Sequence, residues 1–265
     1  MKLKLCLSAF APLLAVGVLL VGCVQAEIEP VAEAEPEVVQ PVHINDLETA
    51  APADWEVLRV AGEPEHELSV MEGRTNKGDE ADYYRAGKAR ISASLAEGYA
   101  RPTVPGAMEI KHYKGYRQAM IETPGTDSGF WPLFQHISSR EIAMTAPVVM
   151  TGRVAGEEQA TSTMAFLYRS PDLGPTGPAE RGVMVEDIEP MTVLAAGFMG
   201  RRAWSEIDTA REQLEGWLAN QEDEHGSWVA AGEVQLLGYN GPDTPRRFQW
   251  WEVQIPVTWE PAETE

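Results

Sequence analysis

Apolar and polar residues recur with two different periods along this chain, and the period predicts the local structure. In residues 128–139 and 205–220, apolar side chains recur three and four positions apart, which places them on one face of an α-helix. Residues 248–257 alternate instead, so that Trp251 points to one face of a strand and Glu252 to the other. These segments predict two amphipathic helices and a closing strand with one apolar face.

The other periodic segments group around the two helices. A hairpin is predicted over 107–121, turning at Lys114-Gly115, with single strands over 142–151, 161–169, 182–188, 191–199, 233–239 and 248–257. The order strand–strand–helix–strand–strand therefore occurs twice, which predicts an α+β fold of two pseudo-symmetric ββαββ halves. The helices would pack against one curved antiparallel sheet or against a distorted barrel. We expect Trp217, in the second helix, and Trp251 to be buried.

The first 22 residues have the pattern of a secretory signal peptide. Lys2 and Lys4 precede a stretch from Leu5 to Val21 that contains no charged residue. A short transmembrane anchor is the alternative, because this stretch is near the lower length limit of a membrane span. Domain 1–22 is therefore predicted to be a leader.

Leu20-Val21-Gly22-Cys23 resembles the lipobox of bacterial lipoproteins, in which the cysteine is acylated and becomes the first mature residue. Two acyl chains give stable attachment to a lipid bilayer. Residue 24 is Val rather than Asp, which by resemblance to Gram-negative sorting favours the outer membrane, facing the periplasm. Cys6 would leave with the leader, so no thiol would remain for a disulfide, a zinc site or a nucleophile.

Composition divides the rest of the chain into four parts. Residues 23–54 lack Lys and Arg beyond the lipobox and are rich in Glu, Pro and Ala, which predicts a disordered acidic tether. Residues 55–105 are interpreted as a partly helical preamble, with a helix over 82–98. The main domain is predicted over 106–258, and 259–265 form an acidic tail.

The charge balance disfavours one class of partner. The chain has 21 basic and 41 acidic residues, a formal net charge of −20. Without Lys2 and Lys4 the balance would be 19 against 41, a net charge of −22. Nucleic-acid binding depends on basic side chains that contact phosphates, so no nucleic-acid partner is expected.

The segment EIAMTAPVVM (141–150) interrupts an apolar run with a proline. Pro147 removes one hydrogen-bond donor from a strand, which places it at an edge or a bulge, and Thr145 can satisfy nearby backbone groups. The break either opens a slot between the first helix and the sheet or serves only as a kink that determines the fold. We expect Met144 to line such a slot, and Met150 to pack in the core as a filler of space.

Several motifs resemble the SOUL haem-binding family, in family order. They are FWPLFQHISSREIAMTAPVVM, STMAFLYR, a segment with Pro190, Phe198 and Gly200, and a closing segment with Tyr239, Pro242, Arg246, Arg247, Glu252 and Val253. The match runs over about 105–258. The Asn that precedes Glu-Val in the family is replaced here by Trp251.

The resemblance implies a distorted eight-stranded antiparallel β-barrel flanked by two helices, and non-covalent binding of haem or a related tetrapyrrole. The candidate ligand site lies beside the first helix, with Trp131, Phe134 and Met144 as its apolar residues. His112 is the first candidate for axial iron ligand and Met144 the second. Arg140, Arg246 and Arg247 are the candidate partners of the propionates.

Other functions stay open beside haem binding. The chain has no C-x-x-C-H motif for covalent haem attachment, and no nucleophile elbow, zinc-protease, P-loop or dinucleotide motif, so no enzymatic activity is expected. One alternative is a binder of another hydrophobic small molecule on the same fold, which resembles effector-binding domains. A second alternative is an envelope enzyme that acts on such a ligand.

Overall fold

A large, mostly antiparallel β-sheet forms the centre of the protein, and two helices pack on it. The computed structural model describes residues 37–44, 56–74, 80–123, 128–152, 162–221 and 225–262. The predicted leader and Cys23 lie outside the described residues. Neither helix in the described part of the chain is long and apolar enough to cross a membrane.

The described strands, in chain order, are β1 (Glu37–Val38), β2 (Val42–His43), β3 (Val57–Ala61), β4 (Ser69–Arg74), β5 (Glu80–Ala86), β6 (Ala89–Ile91), β7 (Met108–Tyr113), β8 (Tyr116–Thr123), β9 (Val148–Thr151), β10 (Ser162–Leu167), β11 (Gly177–Pro178), β12 (Met184–Ile188), β13 (Met191–Met199), β14 (Gly226–Ala230), β15 (Gln235–Gly238) and β16 (Trp250–Pro261). The α-helices are α1 (Phe130–Ser139) and α2 (Trp204–Ala219), close to the predicted bounds. The α+β class is therefore confirmed.

The large sheet is open in the part of the chain that the structure describes. Its strand order is β11-β12-β8-β10-β9-β15-β16-β13-β7-β3-β2, with β14 paired to β16. A closed eight-stranded barrel would need β7 to pair with β12. The outer edge of β7 is hydrogen-bonded by β3 and that of β12 by β11, so the predicted closed barrel is wrong. The pseudo-symmetry of two ββαββ halves stays a prediction.

The segment 107–121 contains two strands but no hairpin. β7 pairs with β13 and β3, whereas β8 pairs with β10 and β12. Alternation along the sequence identifies a strand, but the partner is set by hydrogen bonds between segments far apart in the chain. The predicted strands were correct and their predicted pairing was wrong.

The region 55–105 forms strands rather than the predicted helix over 82–98. β1, β4, β5 and β6 form a small antiparallel sheet, in which Tyr84 is paired with Ile91. Gly87 lies between β5 and β6 with φ 55°, a conformation that suits the tight turn of a hairpin and ends any helical pattern there. The small sheet also includes β1, and β2 pairs with β3, so residues 37–38 and 42–43 of the predicted tether take part in strand pairing.

Both helices cover one face of the large sheet. Leu133 and Ile137 of α1 are buried with Ile121 and Phe166 of β8 and β10. Residues of α2 are buried with residues of β13 and β16 in a second cluster, which contains Ile207, Ala210, Leu214, Leu194, Val253 and Ile255. Since alternate strand residues point to opposite faces, the other face of the sheet needs a separate cover.

Residues 89–107 cover that other face. Ala96, Tyr99 and Val104 are buried against residues of β7, β13 and β15. The backbone of this segment lies directly on the sheet, because the indole Nε1 of Trp250 donates to the carbonyl oxygen of Thr103 at 2.8 Å. The preamble is therefore part of the core of the folded domain.

Charged side chains are enclosed under this cover. The Lys111 ammonium donates to Oε1 of Glu252 at 2.5 Å, and both side chains are 0% exposed. The Thr103 amide and the Tyr239 hydroxyl donate to Oε2 of the same carboxylate, at 2.8 and 3.1 Å. Glu252 therefore links the covering segment, β7 and the residue that follows β15 through hydrogen bonds, so the buried charges are paired as the low-dielectric interior requires.

Candidate functional site

An apolar groove of about 640 Å³ lies beside the N-terminal end of α1. Its walls are the start of α1, the segment around Pro147, the chain that follows β15, and the connection between β13 and α2. The lining residues are Ser92, Ala93, Phe130, Trp131, Met144, Thr145, Ala146, Val148, Met150, Met164, Arg202, Gly238, Tyr239, Asn240, Gly241, Pro242, Asp243 and Trp251. The volume lies within the usual range of small-molecule sites, about 300–1,000 Å³.

The first wall consists of aromatic rings at the start of α1. Because α1 turns Leu133 and Ile137 toward the sheet, its opposite side remains in solvent. Trp131 is 66% exposed there, and its ring lies 5.6 Å from that of Phe130 and 5.9 Å from that of Phe134. Flat apolar surface is thus available at the rim of the groove.

The second wall is the segment Met144–Val148, where the chain bends. Thr145 is buried, and its hydroxyl donates to the carbonyl oxygen of Leu167 at 2.7 Å, while the Ala146 amide donates to that of Ser94 at 3.0 Å. The Ala146-Pro147 peptide bond is cis. These contacts confirm that Thr145 satisfies the backbone at the proline break, and they leave Met144 at the groove, 39% exposed.

The third wall follows β15. Asn240 fixes this loop, because its side chain accepts from the Trp250 amide and donates to the carbonyl oxygen of Arg90, both at 2.7 Å. Tyr239 contributes to the lining and donates its hydroxyl to buried Glu252. Burial raises the pKa of Tyr239 well above the usual value of a phenol, and the nearby Glu252 adds to this. Tyr239 is thus an uncharged residue of the wall near neutral pH.

The fourth wall is the connection between β13 and α2, which carries the one basic side chain of the described lining, that of Arg202. Arg202 lies between β13 and α2, with its Nη1 3.8 Å from the sulfur of Met150. Its guanidinium carbon lies 6.0 Å from the centre of the Trp251 ring, a cation–π arrangement. The acidic residue of the lining is Asp243.

Some of the candidate residues meet at this groove. Trp131 and Met144 both line it, and Phe134, 37% exposed, contacts the rings of Phe130 and Trp131 beside it. The expected slot beside the first helix therefore exists. Met150, which we expected to be core filler, is buried and also lines the groove.

His112 does not line the groove. It lies on β7, where its Nδ1 is 2.8 Å from the Thr192 hydroxyl, and burial lowers the pKa of the imidazole. Within the described residues, no group of three or more His, Cys, Asp and Glu side chains is arranged to hold a metal ion. An axial role for His112 remains a prediction.

The three candidate arginines also lie away from the groove lining. Arg140 follows the end of α1 and donates to the Glu180 carboxylate at 2.7 Å, which lowers the pKa of that carboxyl. Arg246 and Arg247 lie in a short 3₁₀ turn, and Arg247 stacks over Phe248 at 4.6 Å. Arg202 was not predicted from the sequence, because GRRAW resembles an ordinary basic connection. Only the fold brings Arg202 beside Met150 and Trp251.

The groove has the volume and the apolar lining that are typical of small-molecule sites. A family comparison matches residues 99–256 to the model of the SOUL heme-binding protein family. The chain belongs to this family. Among curated proteins, no sequence matches this chain significantly.

Solved structures show more distant similarity. The EcmrR–DNA complex is 12% identical with a TM-score of 0.45, over 57% of this chain and 56% of that chain. The EcmrR C-terminal domain is 13% identical with a TM-score of 0.44, over 57% of this chain and 96% of that domain. A hydrolase from Listeria innocua is 11% identical with a TM-score of 0.43, over 60% and 94% of the two chains.

Proposed function

We propose that this protein binds haem or a related tetrapyrrole non-covalently in the groove beside α1. The observation that carries the proposal is the lining itself, in which aromatic rings and the thioethers of Met144, Met150 and Met164 surround a volume of about 640 Å³. A porphyrin is mostly flat apolar surface, so burial and stacking contribute most of the binding free energy. Membership of the SOUL heme-binding family supports the same ligand class.

The lining fits the ring of a tetrapyrrole better than it fits an iron ligated by imidazole. No histidine belongs to the described lining, and the sulfur atoms of Met144, Met150 and Met164 are its soft donors. Bound haem would supply an iron centre there. The residues of this chain bind the ring and exclude water, so metal-free protoporphyrin should bind with an affinity similar to that of hemin.

The same observation favours a second candidate function. A groove without imidazole does not depend on a metal, so another flat hydrophobic molecule can use the same walls. This candidate shares the site and differs only in the ligand.

The proposed location is the cell envelope. Leu20–Cys23 matches the lipobox pattern, and acylation of Cys23 would attach the domain to the outer membrane on its periplasmic side. In that place the protein would hold its ligand close to a membrane surface.

Absorption titration of the full chain in mild detergent tests the function, with protein-free micelles as the blank. Hemin and protoporphyrin IX should each give a saturable change in the Soret band. Ala93→Phe fills the groove and should weaken both ligands at least about tenfold, because a phenyl ring occupies the space of the ligand. Ala219→Phe, on an exposed position at the end of α2, is the matched control and should bind normally.

The outcomes separate the candidates. Equal binding by wild type and Ala93→Phe would place the ligand outside the groove. The absence of any saturable Soret change would reject tetrapyrrole binding and favour the second candidate. His112→Ala tests the axial prediction, since loss of an iron–imidazole bond would shift the Soret band of bound hemin.

A further inference from the structure

We infer that Arg202 recognises a carboxylate of the bound molecule, so that the groove selects flat apolar ligands with an acidic group at one edge. The inference deepens the proposed function and rests on it. It follows from the position of the one guanidinium of the described lining in a groove that is mostly apolar. Arg202 follows the matched Gly200 by two residues, and it was not among the residues predicted to contact the ligand.

The backbone two residues before Arg202 is held by two hydrogen bonds of Gly200. The Gly200 amide donates to the carbonyl oxygen of Gln249 at 2.9 Å, and the indole Nε1 of Trp251 donates to the carbonyl oxygen of Gly200 at 3.1 Å. Gly200 has φ 144°, a conformation that favours glycine, and it ends β13 two residues before Arg202. These hydrogen bonds attach the start of the β13–α2 connection to the beginning of β16. They thereby restrict the position of the backbone from which the Arg202 side chain extends.

The surroundings of the guanidinium strengthen its interaction with an anion. Arg202 is half-buried, with the sulfur of Met150 at 3.8 Å and the ring of Trp251 at 6.0 Å. Apolar neighbours lower the local dielectric constant, so a hydrogen bond between charged groups is stronger here than in water. The planar guanidinium also suits a carboxylate, because two parallel N–H groups can donate to its two oxygens.

Asp243 is the acidic residue of the lining. A ligand carboxylate beside Asp243 would meet like-charge repulsion, whereas one beside Arg202 would be attracted. A ligand carboxylate is therefore favoured beside Arg202, at the β13–α2 connection, and disfavoured beside Asp243.

The test compares acids with their neutral esters on the full chain in mild detergent. The ligands are protoporphyrin IX, its dimethyl ester, 1-pyrenebutyrate and its methyl ester. Their binding is measured by the quenching of protein or ligand fluorescence. Arg202→Gln should weaken both acids about tenfold and leave both esters unchanged, since a charged hydrogen bond is lost while the wall is kept. Arg202→Lys should restore part of the acid affinity because it keeps the positive charge.

Arg201→Gln is the matched control, because Arg201 is the exposed neighbour and does not line the groove. It removes the same charge from the chain and should leave all four affinities unchanged. An equal effect of the Arg201 and Arg202 variants would show only long-range electrostatics and would overturn the inference.

The ligands also separate this inference from the proposed function. If acids and esters are weakened equally by Arg202→Gln, Arg202 is only part of the wall, and the inference is wrong while tetrapyrrole binding stands. If the wild type binds pyrenebutyrate with the acid preference but neither porphyrin, the Arg202 inference stands and the tetrapyrrole proposal is wrong. If the wild type binds none of the four, both are wrong.

Discussion

The ammonium of Lys111 and the carboxylate of Glu252 form an ion pair of 2.5 Å in which both side chains are 0% exposed. Lys111 lies on β7 and Glu252 on β16, two strands of the large sheet that are separated by β13. The pair is enclosed because residues 89–107 lie over this face of the sheet. Burial lowers the pKa of Lys111, and the adjacent Glu252 opposes that shift.

Removal of one partner should leave a buried charge without compensation. We expect Lys111→Met to lower the free energy of unfolding by about 3–5 kcal/mol, and Lys111→Met with Glu252→Gln to cost much less than the sum of the two single changes. Urea unfolding followed by tryptophan fluorescence measures both. Glu260→Gln, on an exposed position of the same strand, is the control and should change stability by less than about 0.5 kcal/mol. A loss below about 1 kcal/mol for Lys111→Met would contradict the enclosed pair.

A second prediction concerns the contact between residues 103–104 of the covering segment and β13. A Cβ at Gly197 would overlap the carbonyl oxygens of Thr103 and Val104, the latter at 2.6 Å. Gly197→Ala should therefore destabilise the fold by roughly 1–3 kcal/mol or more, because backbone atoms cannot give way as a flexible side chain can.

Thermal unfolding measures this effect, with Gly216→Ala as the matched control. Gly216 lies in α2, and a Cβ there meets nothing within 4 Å. Alanine should stabilise that position by up to about 1 kcal/mol through helix propensity. Similar behaviour of the two variants would show that residues 103–104 do not lie against β13 in solution.

Four buried or partly buried tyrosines predict a loss of stability at alkaline pH. Burial raises the pKa of Tyr99, Tyr113 and Tyr239 well above the usual value and raises that of Tyr84 to about 12. The unfolded chain releases these protons near pH 10, before the folded protein does. Stability from these groups is therefore complete below about pH 10 and declines as the pH rises through their folded-state pKa values.

Urea unfolding between about pH 8 and pH 11, together with absorbance of tyrosinate at about 295 nm, measures this effect. The tyrosinate signal of the folded protein should remain well below that of the unfolded protein at the same pH. Tyr84→Phe removes one of the groups and should make the decline less steep. A free energy of unfolding that stays constant over this range would show that the phenols are accessible to solvent.

The predicted membrane attachment depends on one thiol. Labelling of cells with an alkyne fatty acid should tag the wild-type protein and not Cys23→Ser, because Cys23 would be the acylated cysteine of the predicted lipobox. Cys6→Ser is the control, since Cys6 would leave with the leader and its change should not affect the label. Equal labelling of wild type and Cys23→Ser would reject the anchor.

The candidate site was predictable where its residues are neighbours in the chain. Trp131 and Met144 belong to one continuous motif, and the proline break near Met144 is visible as a departure from strand alternation. Arg202 and Trp251 come from the β13–α2 connection and from β16, and no local pattern relates them to α1. Only strand pairing across the sheet brings them to the same groove.

By itself, the sequence determined eight strands of the large sheet (β7, β8, β9, β10, β12, β13, β15 and β16), both helices and the apolar face of the last strand. These features follow from side-chain period and need only neighbouring residues. The tertiary structure decided which strands pair, since β3 and β11 take the edges that a barrel would have closed. It also decided that Glu252, on the polar face of an alternating strand, is fully buried. Alternation specifies two faces but not what covers them, and here residues 89–107 cover the second face. The ion pair with Lys111 makes the burial of Glu252 possible, because it compensates the charge of the carboxylate.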